Sequence, residues 1–572
     1  MLKFKNQKRD PAVPPVSIYT LFKLSSFRHW DDVVANQKEL DFTRRELKQD
    51  IKTLAKAFLE LGLKKGDIIT VATGRSMYEN ILIFLAANRL GIIVAFLDEK
   101  TARDTLLHYL DEFQSSLLVT YKYSDKRIKD LKRDVKSLKH IINLDGRTVD
   151  EAGPDEEQTE DIEFNALDGF WLGKQPVTKI AEKYHGRVPC HTFSASREAL
   201  ISFTSGSTSG PKPMVFTNKA LIASAIYSKV ASDVKMWDKE LHSWMSYVHF
   251  DCPYGLVVSV IAPICGGGEV ILTPDIDDTN LDYYIGKNPN TIFGIPPLLE
   301  AMPALKENTD ISELKMFASG GERLEKSASL AALDFFKSRG LKNIKISNGY
   351  GVGEALGLIS TAVGDRIYNP DSVGQVPAGV HVMVLDPETG EELGFGKTGI
   401  LYVTGKHILS RYYNRPELTD DKIITIKGKK FVKTGDLAYV TEAGFVTLVG
   451  RATFFINNLP AKVYYEVVRM AVSKSEYVKK CYVVKGPDPK LKLAAYAFVV
   501  TNDGVGHNNE IRREIVKKST EPFNLGRRRI TLKSYEIPHK VIFLDDLPLT
   551  KANKTDFRKL ERMAKEIYET KT

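Results

Sequence analysis

Behind Thr43-Arg44-Arg45-Glu46, a capping box, the apolar residues Leu47, Ile51, Leu54, Phe58 and Leu61 recur at helical spacing, and Gly62 supplies the stop. The pattern then alternates. Asp67 to Val71 reads as a strand, Tyr78 to Leu90 as a helix and Ile92 to Phe96 as a strand. Arg103 to Phe113 reads as a further helix and Ser116 to Thr120 as a further strand. Strands alternating with helices predict a parallel, layered α/β domain. Ile81 to Leu97 is interrupted by Asn88, Arg89 and Gly91. It therefore predicts a buried helix and a buried strand, not a membrane span.

Further along, Lys122 to Lys139 mixes charges as a solvated helix face, and about 150 to 195 reads as irregular, with an acidic surface loop at Glu151 to Glu163. From Val373 the texture changes to short β segments and turns, which predicts a small β-barrel or distorted sheet. Beyond Arg451 the pattern is mixed again, with Tyr482-Val483-Val484 and Ala494 to Val500 as strands. A hinge is expected near 450–454, dividing residues 1–451 from an α+β domain at 452–572. That second unit, about 120 residues, is of ordinary domain size.

Composition narrows the class. A chain of 572 residues is too long for one core, and 43% hydrophobic with 27% charged residues is ordinary for a globular protein. The four cysteines show no CxxC spacing, which predicts neither a metal site nor a disulfide framework and fits a reducing compartment. The net charge of +9 is thinly spread, so it reads as solubility, and no nucleic-acid partner is expected. Met1 to Arg9 is polar and basic with no apolar core behind it. Cytoplasmic location without a transmembrane segment is the expectation.

The candidate chemistry starts at Thr204-Ser205-Gly206-Ser207-Thr208-Ser209-Gly210-Pro211-Lys212, which follows the apolar run Ala199 to Phe203. Small residues let backbone amides curl around an anion, hydroxyls add donors, and Lys212 adds a point charge. The spacing is not Walker A, because three residues separate the glycines and Pro211 precedes the lysine. Asn348-Gly349-Tyr350-Gly351-Val352-Gly353-Glu354 offers glycines for close backbone approach, a flat ring for a purine and an amide for its edge. Glu354 is a carboxylate able to hold Mg²⁺. In Thr434-Gly435-Asp436-Leu437 the carboxylate of Asp436 can accept both hydroxyls of a ribose.

These motifs, with Ala318-Ser319-Gly320-Gly321-Glu322, Gly450-Arg451 and Leu547-Pro548-Leu549-Thr550-Lys551-Ala552-Asn553-Lys554, occur in the order found in the adenylate-forming (AMP-binding) enzymes. Arg411-Tyr412-Tyr413-Asn414-Arg415-Pro416-Glu417-Leu418-Thr419 also fits. The chain resembles that superfamily of acyl-CoA synthetases, luciferases and peptide-synthetase adenylation domains from about 40 to 560. The resemblance implies a large N-terminal domain of layered α/β subdomains plus a β-barrel-like subdomain, followed by a smaller mobile domain. It implies that the 204–212 loop holds the ATP phosphates, that Tyr350 stacks on adenine, and that Gly320, Gly321 and Glu322 lie along the adenine and acyl group. It further implies Asp436 and Arg451 on the ribose and phosphate, Glu354 with Thr208 on Mg²⁺, and Lys554 as catalytic lysine. Coenzyme A or a carrier-protein phosphopantetheine is the implied thiol acceptor.

The chain departs from the family pattern at four places. Gly353 replaces the usual Thr, Asn553 replaces Gly, Thr453-Phe454 replaces Asp-Asp, and Asn457 to Ala461 replaces the loop that guides the thiol. The acyl wall is expected at Tyr247 to Gly255, where two alignments compete. Aligning Gly255 with the ligases' His-x-x-Gly puts Cys252 where His is usual. Aligning Phe250-Asp251 with peptide-synthetase domains makes Asp251 a partner for an α-amino group, and capping of the following helix is a third role. With His249, Asp251 and Gly320 as the pocket, an acid–thiol ligase leads. A stand-alone amino-acid adenylation enzyme and a non-catalytic AMP-binding relative are the alternatives.

Overall fold

The computed structural model describes residues 1–4, 8–121, 130–144, 166–172, 175–204, 211–231, 242–277, 279–362, 372–452, 455–458, 461–525, 528–549 and 555–569. The helix Arg44–Glu60 begins at the predicted capping box, with both reciprocal hydrogen bonds in place. Its stripe of Leu47, Ile51, Leu54 and Phe58 is fully buried. Gly62 takes the left-handed conformation (φ +80°) that ends the helix. Strand Ile68–Ala72, helix Tyr78–Leu90, strand Ile93–Phe96, helix Arg103–Glu112 and strand Leu117–Thr120 follow as the alternation required. The three strands pair in parallel.

Two large sheets stand side by side. One runs in the spatial order Arg411–Tyr412, Pro213–Thr217, Glu198–Phe203, Ile93–Phe96, Ile68–Ala72, Leu117–Thr120, His140–Asn143, with the short pair Trp171–Leu172 and Gln175–Pro176 at its edge. The other runs Ser360–Thr361, Lys345–Tyr350, Met316–Ser319, Thr291–Gly294, Ser243–Ser246, Glu269–Leu272, Val33–Gln37, Leu40–Thr43. Helices Arg44–Glu60, Tyr78–Leu90 and Asn218–Ala231 contribute to one continuous apolar core between them. Arg44 is sealed into this core. Its guanidinium donates to the Ser26 hydroxyl (3.1 Å) and to the carbonyls of Ile264 (3.0 Å) and Gly268 (2.7 Å). Burial pulls its pKa down to about 10.

The β-rich region is a sheet of His381–Leu385, Gly399–Thr404, Lys429–Val440 and Ile423–Ile426, with Val446–Arg451 also paired to Lys429–Val440. After it, Val478–Asp488, Lys492–Thr501 and Lys540–Phe543 form a further sheet. Helices Tyr465–Val472, Asn509–Ser519 and Phe557–Glu569 flank it over apolar clusters of their own.

Two expectations change. The described part of the Lys122–Lys139 stretch holds only the single turn Leu131–Asp134 as helix. The 150–195 region is not irregular throughout, because Val177–Lys183 is helical and buries Val177, Ile180 and Ala181, spaced three and four apart, on one face. Residues 145–165, with the acidic loop, lie outside the described residues, as do hinge positions Thr453 and Phe454.

Candidate functional site

The Gly/Ser/Thr loop joins two antiparallel strands, Glu198–Phe203 and Pro213–Thr217, with Phe203 opposite Pro213. Its root is closed twice. The Thr204 amide donates to the Lys212 carbonyl, and the Lys212 amide donates to the Thr204 hydroxyl, each at 3.1 Å. The Tyr109 hydroxyl donates to the Pro211 carbonyl. Ser205, Gly206, Ser207 and Thr208 lie outside the described residues.

The next strand, Arg411–Tyr412, pairs with this hairpin, Met214 opposite Tyr412. Tyr412 is buried and donates to Glu354 Oε1 at 2.6 Å. The Leu409 amide donates to the Glu354 carbonyl at 2.8 Å. Burial and the neighbouring carboxylate push the Tyr412 phenol far above its usual range, so it remains a donor. A Cβ on Gly353 would stand 2.8 Å from Met214 Cε, so the thioether fills the space beside this position. Gly351 is obligatory, because a Cβ there would meet the Gly357 carbonyl at 2.1 Å.

Strands Thr291–Gly294, Met316–Ser319 and Lys345–Tyr350 are parallel and in register, Gly294 beside Ser319 and Ser319 beside Asn348. Their carboxyl ends therefore gather the sequence motifs at one edge, where open α/β sheets bind ligands. Asn348, Gly349 and Tyr350 belong to the strand itself. Asn348 is 3% exposed, and its Oδ1 has no hydrogen-bond partner; the same holds for the Oγ of buried Ser319. Buried, unmatched polar atoms are costly unless a ligand completes them.

The Tyr350 hydroxyl donates to Asp436 Oδ2 at 2.5 Å, and Arg451 Nε lies 2.9 Å from Asp436 Oδ1. The ladder places Asp436 directly across from Arg451. The Asp436 amide donates to the Thr434 hydroxyl (3.1 Å), which donates to the Leu401 carbonyl (2.8 Å). Burial raises the Asp436 carboxyl above the usual carboxylate range, against the pull of Arg451 and Tyr350.

On the acid side, the Gly320 amide donates to the Gly294 carbonyl (3.2 Å), and Gly321 adopts φ +83°. The Tyr254 ring packs 3.5 Å from where a Gly320 Cβ would be, its hydroxyl donating to the Ala318 carbonyl (3.2 Å). The segment His249–Cys252 is tethered by the Phe250 amide on the Gly74 carbonyl (2.6 Å) and the Ser202 hydroxyl on the Asp251 carbonyl (2.9 Å). Gly255 lies so close to the His249 carbonyl that a Cβ would sit 2.0 Å from it. Asp251 is crowded on all sides but keeps some solvent access. Burial first, then the Asp98 carboxylate, push its pKa up to about 7. Its side chain does not cap the next helix, whose N-cap is Pro253. Burial lowers the His249 pKa although the residue as a whole is exposed.

Lys554 and Asn553 lie outside the described residues. Their flank is placed: Leu549 pairs with Thr555, and Thr555 hydrogen-bonds Tyr482. Burial raises the Tyr482 phenol to about 12, and the Glu322 carboxylate adds to the shift, so this flank lies near the Glu322 loop. The two parts of the chain are clasped by ion pairs. Arg323 meets Glu466 at 2.6 Å, and buried Arg469 bridges Glu466 (2.8 Å) and Glu325 (3.2 Å).

The sequence reading gave no individual role to Tyr412, Met214, Thr434 or Asp98. Tyr412 was visible inside the Arg411–Thr419 run, but its aim at Glu354 is set by strand pairing. Among the described residues, no group of three or more His, Cys, Asp or Glu is placed to hold a metal. A lone carboxylate suits Mg²⁺, which keeps several waters and is commonly held by one or two carboxylates together with substrate phosphates. Among the described residues, no helix is long and apolar enough to cross a membrane.

Residues 25–413 match the AMP-binding enzyme family, and residues 470–554 match the AMP-binding enzyme C-terminal domain. The chain is 27% identical to tyrocidine synthase 3 of Brevibacillus parabrevis over 91% of its own length, spanning 7% of that much larger protein. It is 26% identical to a probable 4-coumarate–CoA ligase 2 of Dictyostelium discoideum, over 70% of each chain. The crystal structure of the anthranilate CoA ligase AuaEII with anthranoyl-AMP superposes with a TM-score of 0.78 at 17% identity, covering 97% of this chain and 99% of that one. The fold is thus that of a large layered α/β domain followed by a smaller C-terminal domain, and the chain belongs to the AMP-binding enzyme family of adenylate-forming enzymes.

Proposed function

We propose that the protein uses ATP to convert a carboxylic acid to an acyl-adenylate and then passes the acyl group to a thiol, as an acid–thiol ligase. One observation carries this reading: the Met214–Tyr412 pairing sets the root of the 204–212 loop against Glu354, four residues beyond Tyr350 and its partner Asp436. Phosphate, metal and ribose ligands then follow one another along a single nucleotide. The unpartnered Asn348 Oδ1 suits the exocyclic amine of adenine, and Asp436 suits the ribose hydroxyls once Arg451 shifts toward phosphate.

Lys212 and the loop hold the β- and γ-phosphates. A carboxylate oxygen of the acid attacks the α-phosphorus, and the bond to pyrophosphate breaks. Lys554 stabilises the charge that builds on the α-phosphate. Mg²⁺, when bound at Glu354 with Thr208, would neutralise phosphate charge and orient the leaving group. A thiolate then attacks the acyl carbon and AMP leaves. The CoA-ligase names among the relatives favour coenzyme A as acceptor.

A second reading has its own support. Asp98 lies near enough to buried Asp251 to raise its pKa, and an acid carrying an amino group would compensate these two carboxylates. ATP–pyrophosphate exchange with fatty, aryl and amino acids separates the two. Exchange with no acid would leave a non-catalytic nucleotide binder. Lys212→Ala is expected to abolish exchange while sparing thiol transfer from preformed acyl-adenylate; equal loss of both steps would refute the loop's assignment.

A further inference from the structure

A second basic site lies on the opposite edge of the sheet from the nucleotide motifs. Lys65 precedes strand Ile68–Ala72, Gly91 precedes Ile93–Phe96, and Arg197 precedes Glu198–Phe203. Arg75, Asp98 and Thr204 follow the same three strands on the site's side. The first two strands are parallel to each other and the third is parallel to the second, so the two edges are separated by a full strand, roughly 15–20 Å at about 3.3 Å per residue. At the amino edge is a cavity of about 620 Å³ whose walls include Lys65, Cys190, His191, Phe193 and Arg197.

The cavity wall carries positive charge without a matching carboxylate. A Cβ on Gly91 would stand 3.0 Å from Lys65 Cγ and 3.1 Å from Arg197 Nη1, so this glycine lets the two basic side chains converge. Arg197 Nη2 donates to the Asn88 carbonyl at 3.0 Å, a cap on the end of helix Tyr78–Leu90. That contact accounts for one nitrogen. Nε and Nη1 are buried without a partner. Burial lowers the His191 pKa, and the charges of Arg197 and Lys65 lower it further. A helix C-terminus supplies only about half a negative charge, too little for this group. Phe193, 82% exposed, adds an apolar surface beside the charges.

We propose that this cavity is an anion-binding site for a phosphate monoester with an apolar or aromatic portion, separate from the nucleotide cleft. The phosphate would take its charge from Lys65 and Arg197, and the apolar part would lie against Phe193. A ligand here would sit on loops that enter the same three strands whose far ends build the active site.

Cys190 provides a local probe, since it is exposed on the cavity wall, and Cys252, on the cleft segment, is an internal reference. The full chain is alkylated with iodoacetamide, and each cysteine is followed by peptide mass spectrometry with phenyl phosphate or phenol present. Phenyl phosphate is expected to slow Cys190 alkylation several-fold, phenol is not, and Lys65→Glu removes the protection. Lys65 is exposed, so the variant should fold and keep its exchange rate; Lys65→Gln, expected to weaken protection, serves if it does not. No protection, equal protection by phenol, or protection unchanged in both Lys65 variants overturns the proposal. None of these outcomes depends on adenylation, so the two readings fail separately.

Discussion

Tyr412 and Glu354 are 58 residues apart in sequence and meet through a 2.6 Å hydrogen bond from phenol to carboxylate. The bond fixes one carboxylate oxygen, Oε1. It spans two elements: Tyr412 comes from the strand beside the hairpin that carries the 204–212 loop, and Glu354 from the turn after Tyr350. The position of the 204–212 loop root is thus coupled to that of the carboxylate proposed here to hold Mg²⁺.

Tyr412→Phe should lower exchange by about tenfold or more, since a hydrogen bond to a charged group is worth about 1.5–3 kcal/mol. The loss should shrink at high Mg²⁺, because the misoriented carboxylate weakens metal binding first. Calorimetric titration of Mg²⁺ into the ATP complex checks this independently of turnover. Unchanged Mg²⁺ affinity would refute the positioning role.

Gly353→Thr restores the hydroxyl usual in the family, and its Cβ meets only the end of the Met214 side chain. A flexible thioether yields cheaply, so the stability cost should be about 1 kcal/mol, at the lower end for overpacking. Exchange should rise if the added hydroxyl reaches the α-phosphate. Adding Met214→Ala tests the steric part: it should remove the overpacking penalty in thermal unfolding, against its own cavity cost measured alone.

Asp251 has a pKa raised to about 7 by burial and then by Asp98. A carboxyl whose folded pKa is raised is most favourable to folding when protonated. Its contribution falls as pH climbs from the ordinary value near 4 toward 7 and stays lost above. Asp251→Asn should therefore raise the melting temperature in mildly alkaline buffer and do little in acid. The residual solvent access of Asp251 will moderate the size of the shift. If an amino acid is the substrate, the same variant should lose amine recognition above neutrality.

Arg469 is the buried link between Glu466 and Glu325. Arg469→Ala leaves Glu466 and Glu325 with only the more exposed Arg323 as partner, so the cost should approach the lower end of the about 3–5 kcal/mol of a broken buried pair. Burial alone would raise the Glu466 pKa, but Arg469 and Arg323 outweigh it, so the net shift is down. The stabilisation from Glu466 is then present above its unfolded pKa and lost as pH falls through its lowered folded value. Acid unfolding should begin at higher pH in the variant, monitored by circular dichroism.

Much of this protein is set locally. The capping box at Thr43–Glu46, the apolar stripe of the helix behind it and the alternation from Ile68 to Thr120 depend on neighbours within a few residues, and the chain obeys them. The 204–212 loop, the Tyr350 motif and Asp436 stand out as candidates in the sequence because glycines, hydroxyls and carboxylates at those spacings suit few other tasks. What the sequence could not determine are relations across the chain. Tyr412 reaches Glu354 only because its strand pairs with Met214, and Asp436 meets Tyr350 only when two sheets are brought together. Asp251 titrates near neutrality because the packed chain buries it and then brings Asp98, from the loop after strand Ile93–Phe96, close to it. Pairing register and shared burial depend on the whole packed assembly, so only the tertiary structure decides them.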